Sequence, residues 1–231
     1  MMDGFAFQVE VLRTDRKKSA SIDLDGDLVR VSVPKTLSEG RIRDLISKRS
    51  SWITAKLNEY SRRPCVKPKE YVSGETFPYL GRNYRLKVTA GDCASIKLKG
   101  GYFEVTTLSN DKDSIATTKA LLEAWYMAQA ERRLRDKTDR WSKIIGVLPQ
   151  SVSIRSYKSR WGSCSAKGDM SYNWRIILAP HRIVDYVIVH ELCHLKEHNH
   201  SSRYWKHVGR YIPDWKDCRD WLKEEGITLS V

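Results

Sequence analysis

The chain lacks any apolar run approaching the roughly 18 residues that a membrane-crossing helix needs, which argues against a membrane-spanning protein. Met1–Glu10 carries neither the basic stretch nor the apolar block of a secretion signal, so a cytoplasmic protein is expected. The five cysteines, Cys65, Cys93, Cys164, Cys193 and Cys218, are odd in number and show no C-x-x-C spacing. That pattern argues against a disulfide scaffold and against a four-thiolate zinc site, and reduced thiols are the simplest reading. No internal repeat is visible. Acidic residues are also scarce, with 28 Asp and Glu against 41 Lys and Arg, for a formal charge of +13.

What is present is the composition of an ordinary globular protein, 41% hydrophobic and 30% charged over 231 residues, enough to bury a sizeable core. The positive charge makes an anionic partner plausible, because Lys and Arg displace counterions from any polyphosphate. Residues 128–160 hold nine Lys or Arg against three Asp or Glu, whereas residues 181–231 hold eight of each. A nucleic-acid surface, if there is one, is therefore expected on segment 128–160. A solvated helix face explains the same charges equally well.

The first 35 residues read as β structure: Phe5–Arg13, then Ala20–Leu24 and Leu28–Val33 flanking an Asp25-Gly26-Asp27 turn. Ser38 can cap a helix running to about Tyr60, with Ile42, Leu45, Ile46, Ile53 and Leu57 on its apolar face and Trp52 as a possible addition. Pro64 and Pro68 interrupt regular structure and look like a connector. Tyr71–Val88, with Gly74 and Gly81, and Ser95–Thr107, around Gly100-Gly101, suggest hairpins.

From Ser114 to Ile145, Leu121, Leu122, Trp125, Tyr126, Ala128, Leu134 and Trp141 punctuate a breaker-free charged segment, as in a long amphipathic helix. Ser151–Ser156 and Met170–Leu178 read as strands, and Pro180 suits the first turn of a further helix. The fold class expected is α+β, with an N-terminal β-rich unit over 1–110 and a small catalytic domain over 111–231.

The last helix carries Ile183, Val184, Val187, Ile188, Leu192 and Leu195 at helical spacing, together with His190-Glu191-Leu192-Cys193-His194. Four residues apart on a helix, His190 and His194 lie on one face, where a single cation can take a nitrogen from each. Catalytic zinc usually takes three protein ligands at about 2.0–2.1 Å and leaves one position for water, whose pKa falls to roughly 7. Glu191, beside the first ligand, is placed to take the proton of such a water. The third ligand is open among His198, His200 and a more distant carboxylate. His200 follows His194 by six residues, the interval of H-E-x-x-H-x-x-G-x-x-H, although Glu197 stands at the glycine position.

Arg160-Trp161-Gly162-Ser163-Cys164-Ser165, then Asn173-Trp174-Arg175, then the His190–His194 motif with His200 and Trp205, resemble the YgjP-like metallopeptidases. Ser73–Gly81 resembles the same family's N-terminal portion. The resemblance implies a zincin-like fold related to SprT-like and WLM-type proteases, in which a final histidine precedes an aromatic pair, here His200 before Tyr204-Trp205. It implies Zn2+ held by His190, His194 and His200, Glu191 as general base, and a protein or peptide substrate.

In such enzymes an edge strand beside the active-site helix pairs with the substrate backbone, and Ser151–Ser156 or Met170–Leu178 are the candidates here. Arg160 is a candidate for orienting a substrate carboxylate or oxyanion, and Trp161 for shaping the cleft wall; simple packing accounts for both as well. Competing readings are a nucleic-acid-associated protein with structural zinc, a DNA-associated protease, and hydrolysis of a non-peptide amide.

Overall fold

The computed structural model describes residues 4–16, 19–25, 28–61 and 67–231. The chain divides into two compact units, 1–65 and 66–231. In the first, β1 (Gln8–Thr14), β2 (Ser21–Asp25) and β3 (Leu28–Pro34) form a sheet in the order β1-β3-β2, followed by helix α1 (Glu39–Ser61). The expected hairpin is the antiparallel β2–β3 pair, while β1 joins β3 in parallel. Gly26 and Asp27 of the anticipated turn, and Pro64 of the anticipated connector, lie outside the described residues. Val9, Val29, Val31 and Val33 from the sheet and Ile42, Ile46 and Ile53 from α1 make a separate core. Trp52 does not join it and stays 42% exposed.

The second unit begins with β4 (Thr76–Tyr79), β5 (Arg82–Gly91), β6 (Ser95–Lys99) and β7 (Tyr102–Leu108), in the order β4-β5-β7-β6. Its two hairpins turn through Leu80-Gly81 and Gly100-Gly101, all four residues at positive φ, as two-residue type I′ turns demand. Helix α2 (Ser114–Ile145) comes next. The Asp113 side chain accepts a hydrogen bond from the Ala116 N–H at its start, and left-handed Gly146 ends it. Leu122, Tyr126, Ala130 and Leu134, four residues apart, form its buried stripe.

The compact units meet at 65/66, whereas composition and pattern suggested 110/111. The β4–β7 sheet shares its core with α2: Phe103 packs edge-on to Trp125 at 4.9 Å, and the Tyr126 hydroxyl donates to the Pro78 carbonyl at 2.8 Å. Phe103 and Tyr126 are both fully buried. Burying each such side chain stabilises by about 1.5–3 kcal/mol, so the sheet has its packing partners in α2 and the C-terminal part of the chain.

Three short strands, β8 (Ser151–Arg155), β9 (Gly162–Cys164) and β10 (Asp169–Asn173), form a second sheet in the order β8-β10-β9. The expected strand Met170–Leu178 is only half strand, because Trp174–Leu178 winds into a 3-10 turn. Asn173 explains the change. Its Oδ1 accepts from the Arg175 N–H, while its Nδ2 donates to the carbonyls of Tyr157 and Arg160. Helices α3 (His181–Cys193), α4 (Ser202–Tyr211) and α5 (Trp215–Glu224) complete the unit.

Two ties fix α3. Asp185 accepts hydrogen bonds from Lys137 Nζ at 2.7 Å and Trp141 Nε1 at 2.9 Å, joining it to α2. At its N-terminus the β4–β5 turn is held by the Leu80 N–H donating to the Ile177 carbonyl at 2.8 Å. A Cβ on Gly81 would lie 3.2 Å from Pro180 Cα, so glycine serves both the turn and this close approach. Among the described residues, no helix is long and apolar enough to cross a membrane.

Candidate metal centre

Helix α3 ends at Cys193, so His194 occupies the capping position with helical backbone angles. Its N–H turns to the carbonyl of Glu191, three residues back, where an α-helix would use that of His190. The freed His190 carbonyl accepts the Tyr204 hydroxyl at 2.8 Å, an answer to the unpaired carbonyls that any helix C-terminus leaves. Tyr204 is fully buried and its ring stacks on His194 at 4.6 Å. The chain then reverses through Asn199, with the Ser201 N–H donating to the Asn199 carbonyl. Ser201 caps α4 by accepting from the Tyr204 N–H. His200 sits just before that cap.

This turn brings His200 Nε2 to 3.2 Å from His190 Nε2. One ligand atom from each of His190, His194 and His200 lies within 4.8 Å of the other two. Two nitrogens each at 2.0–2.1 Å from a tetrahedral cation would be about 3.3 Å apart, close to the observed separation of that pair. His194 Nδ1 lies 3.2 Å from the Glu197 carbonyl, so a proton on Nδ1 leaves the Nε2 lone pair for a metal. Burial holds His190 down at about 3, helped by the neighbouring His194 and His200, and also lowers His194. Both rings are neutral at pH 7, the form a metal requires. The donor set fits a divalent cation that favours imidazole.

Glu191 is 6% exposed. In the metal-free protein, burial pushes its carboxyl up to about 8, partly offset by the Arg160 guanidinium. Gly162 on β9 faces it: a Cβ at that position would lie 2.7 Å from Glu191 Cγ and Oε1. Gly162, Ser163 and Cys164 form one wall of a cavity of about 310 Å³, and His190, Glu191, His194, His198 and His200 form the other. His198 therefore borders the cleft without joining the convergent set. Cys164 is a half-buried thiol pushed up to about 11 by burial and by the charge of Glu191.

The strand bordering the cleft is β9, not either of the segments expected. β10 is the central strand, paired on both sides, while Gly162, Ser163 and Cys164 of β9 line the cavity. The Asn173 N–H donates to the Trp161 carbonyl, and Tyr172 lies opposite Gly162. In an antiparallel ladder alternate residues point their backbone groups outward, so those of Gly162 and Cys164 face the free edge.

Arg160 and Trp161 line a second, adjoining cavity that shares Gly162, His190 and Glu191 with the first. Trp161 also packs on Gly226, where a Cβ would come within 3.1 Å of its ring. Tyr186, Arg219, Leu222 and Lys223 complete this cavity from α3 and α5. None of the four has a local sequence signal, since nothing near Arg219 in the chain relates it to a motif that ends 25 residues earlier. Tyr204 was visible only as half of an aromatic pair.

A comparison with curated proteins found no match. Among solved structures, the chain is similar to the metallopeptidase zymogen of Pyrococcus abyssi abylysin, with 27% identity, a TM-score of 0.35, and coverage of 38% of this chain and 89% of that one. It is also similar to the zymogen of Methanocaldococcus jannaschii jannalysin, with 18% identity, a TM-score of 0.34, and coverage of 37% and 89%. The sequence profile described as YgjP-like, metallopeptidase domain, matches residues 18–225. The chain therefore belongs to the YgjP-like metallopeptidase family, and it is a metal-dependent peptidase.

Proposed function

We propose that the chain hydrolyses peptide bonds with zinc held by His190, His194 and His200 and with Glu191 as general base. The observation that carries this reading is the convergence of three imidazoles beside a buried carboxylate. Imidazole donors favour zinc over the oxygen-seeking calcium and magnesium. A cation bound there lowers the pKa of a water to roughly 7 and polarises the substrate carbonyl.

The remaining work falls to the protein. Glu191 accepts the proton of the attacking water on its carboxylate and passes it to the nitrogen of the breaking C–N bond, so that a carboxylic acid and an amine leave. Its burial keeps solvent from competing for that proton. The outward backbone groups of Gly162 and Cys164 suit pairing with an extended peptide, a mode with little sequence preference. Gly162 contributes twice, through its edge hydrogen-bonding groups and through the space it leaves for Glu191.

The test is a proteome-derived peptide digest with metal content measured in parallel. Glu191→Gln should retain zinc and lose hydrolysis, and His190→Ala should lose zinc. Full activity in Glu191→Gln would sink the mechanism.

The basic segment 128–160 gives a nucleic-acid surface less support. Lys137 is committed to Asp185, Arg135 to Glu131 and Arg132 to Gln129, and Arg160 borders the cleft.

A further inference from the structure

The cavity beside Glu191 has a volume of about 320 Å³ and two kinds of wall. Its sides are largely apolar, from Trp161, Tyr186 and Leu222, and its rim is cationic, from Arg160, Arg219 and Lys223. The cations come from opposite sides. Arg160 precedes β9, whereas Arg219 and Lys223 are four residues apart on α5 and so share a helix face. Three cations meet one lining carboxylate, that of Glu191.

Little in the protein neutralises them. Among the described residues, the Arg160 guanidinium has no carboxylate in ion-pair contact and lies over the Tyr157 ring at 5.7 Å. Asp220, outside the lining, approaches Arg219 Nε at 3.3 Å and Lys223 Nζ at 3.4 Å, in half-exposed pairs whose contribution is small. Arg219 uses only Nε there, and its guanidinium is held over Trp215 at 5.1 Å and Trp205 at 5.8 Å. Trp205 in turn stacks on His200. A cation steadied by aromatic faces, with its terminal nitrogens still available, is prepared for a carboxylate.

We propose that this cavity is a substrate subsite for a carboxylate, carried on an acidic side chain or at a free peptide C-terminus. Its walls accept the methylenes and its rim fixes the charge. The proposal rests on the peptidase reading of the neighbouring centre, since it is the His190–Glu191 end of the cavity that orients the ligand as substrate.

The test uses the full chain loaded with zinc and two synthetic peptide libraries, one with free and one with amidated C-termini, with cleavage sites read by mass spectrometry. An acidic residue should be enriched at one fixed position relative to the cut in both libraries if the side chain is the source. If the terminus is the source, cuts should fall at a fixed distance from free C-termini and vanish with amidation. Arg219→Gln/Lys223→Gln should weaken the preference roughly tenfold or more, the scale of a lost charge-assisted hydrogen bond. Arg219→Glu/Lys223→Glu should shift it towards Lys and Arg.

Binding provides the readout independent of turnover. Calorimetry on Glu191→Gln should show blocked hexapeptides with one Glu, walked through each position, binding about tenfold more tightly than their Gln counterparts at the favoured position. Cleavage with no charge preference, unchanged by the charge reversal, overturns the subsite and leaves the peptidase reading standing. Carboxylate-dependent binding without cleavage keeps the subsite and overturns the mechanism. Neither binding nor cleavage overturns both.

Discussion

Gly162→Ala is the substitution that most directly probes how Glu191 is held. The added methyl would lie 2.7 Å from Glu191 Cγ and Oε1 and 2.9 Å from Cδ, against carbon contacts of about 3.5–4.0 Å at optimum. The carboxylate must therefore retreat by roughly 1 Å, and a misplacement of that size at a reacting group costs about a hundredfold in rate. Stability should move far less. Alanine in a strand interior gains about 0.5–1 kcal/mol over glycine, while overpacking against a side chain that can swing away costs about 1–3 kcal/mol. The assay is kcat/KM on a cleaved peptide, with zinc content and thermal unfolding measured on the same preparations. The expected result is a fall of about a hundredfold in kcat with zinc retained and a net stability loss of at most about 2 kcal/mol. In a Glu191→Ala background the clash is gone, so the same substitution should become neutral or stabilising. Undiminished activity in Gly162→Ala, or an equal stability loss in the Glu191→Ala background, would refute the contact as the cause.

Three further outcomes are expected. Tyr204→Phe removes the donor to the His190 carbonyl and should cost about 1–3 kcal/mol in denaturant unfolding, with faster zinc loss to a chelator; unchanged values for both would show that the carbonyl needs no cap. Asp185→Ala strips Lys137 and Trp141 of their shared acceptor and should destabilise by about 1–3 kcal/mol, whereas Asp185→Asn, which keeps an acceptor, should lose less. Duplex DNA affinity, titrated from 50 to 200 mM salt, should be weak with a shallow slope, because much of segment 128–160 is engaged internally; a loss of a thousandfold or more over that range would restore the nucleic-acid reading.

The chemistry was the most legible part of this sequence, because it is written in local spacing. His190 and His194 lie one helical turn apart whatever surrounds them, and Pro180 and the apolar stripe placed them on a helix. His200 was harder. Its ranking above His198 depended on the chain reversing near Asn199, and Ser201, which caps the next helix, supplies that reversal. The 3-10 turn at Trp174–Leu178 was missed because a run of Trp, Ile and Leu reads as strand, while the deciding hydrogen bonds come from the side chain of Asn173. The division at 65/66 was missed because what holds β4–β7 is burial of Phe103 and Tyr126 against each other across sequence, which no window sees. Arg219 and Lys223 escaped for the same reason: α5 reaches the cleft by folding alone.

The placement of the third histidine has an entropic consequence. His190 and His194 are set by one helix and need no loop closed between them, while His200 closes a loop of only six residues. Closure entropy rises slowly with length and is small at this size, so the third imidazole is presented to a cation on the other two at high effective concentration. Release of a bound cation then requires opening at the Asn199–Ser201 reversal before the helix pair lets go. The rate at which the enzyme exchanges metal is thereby tied to the fraying of one short turn and the unseating of Tyr204, with no need for the fold as a whole to open.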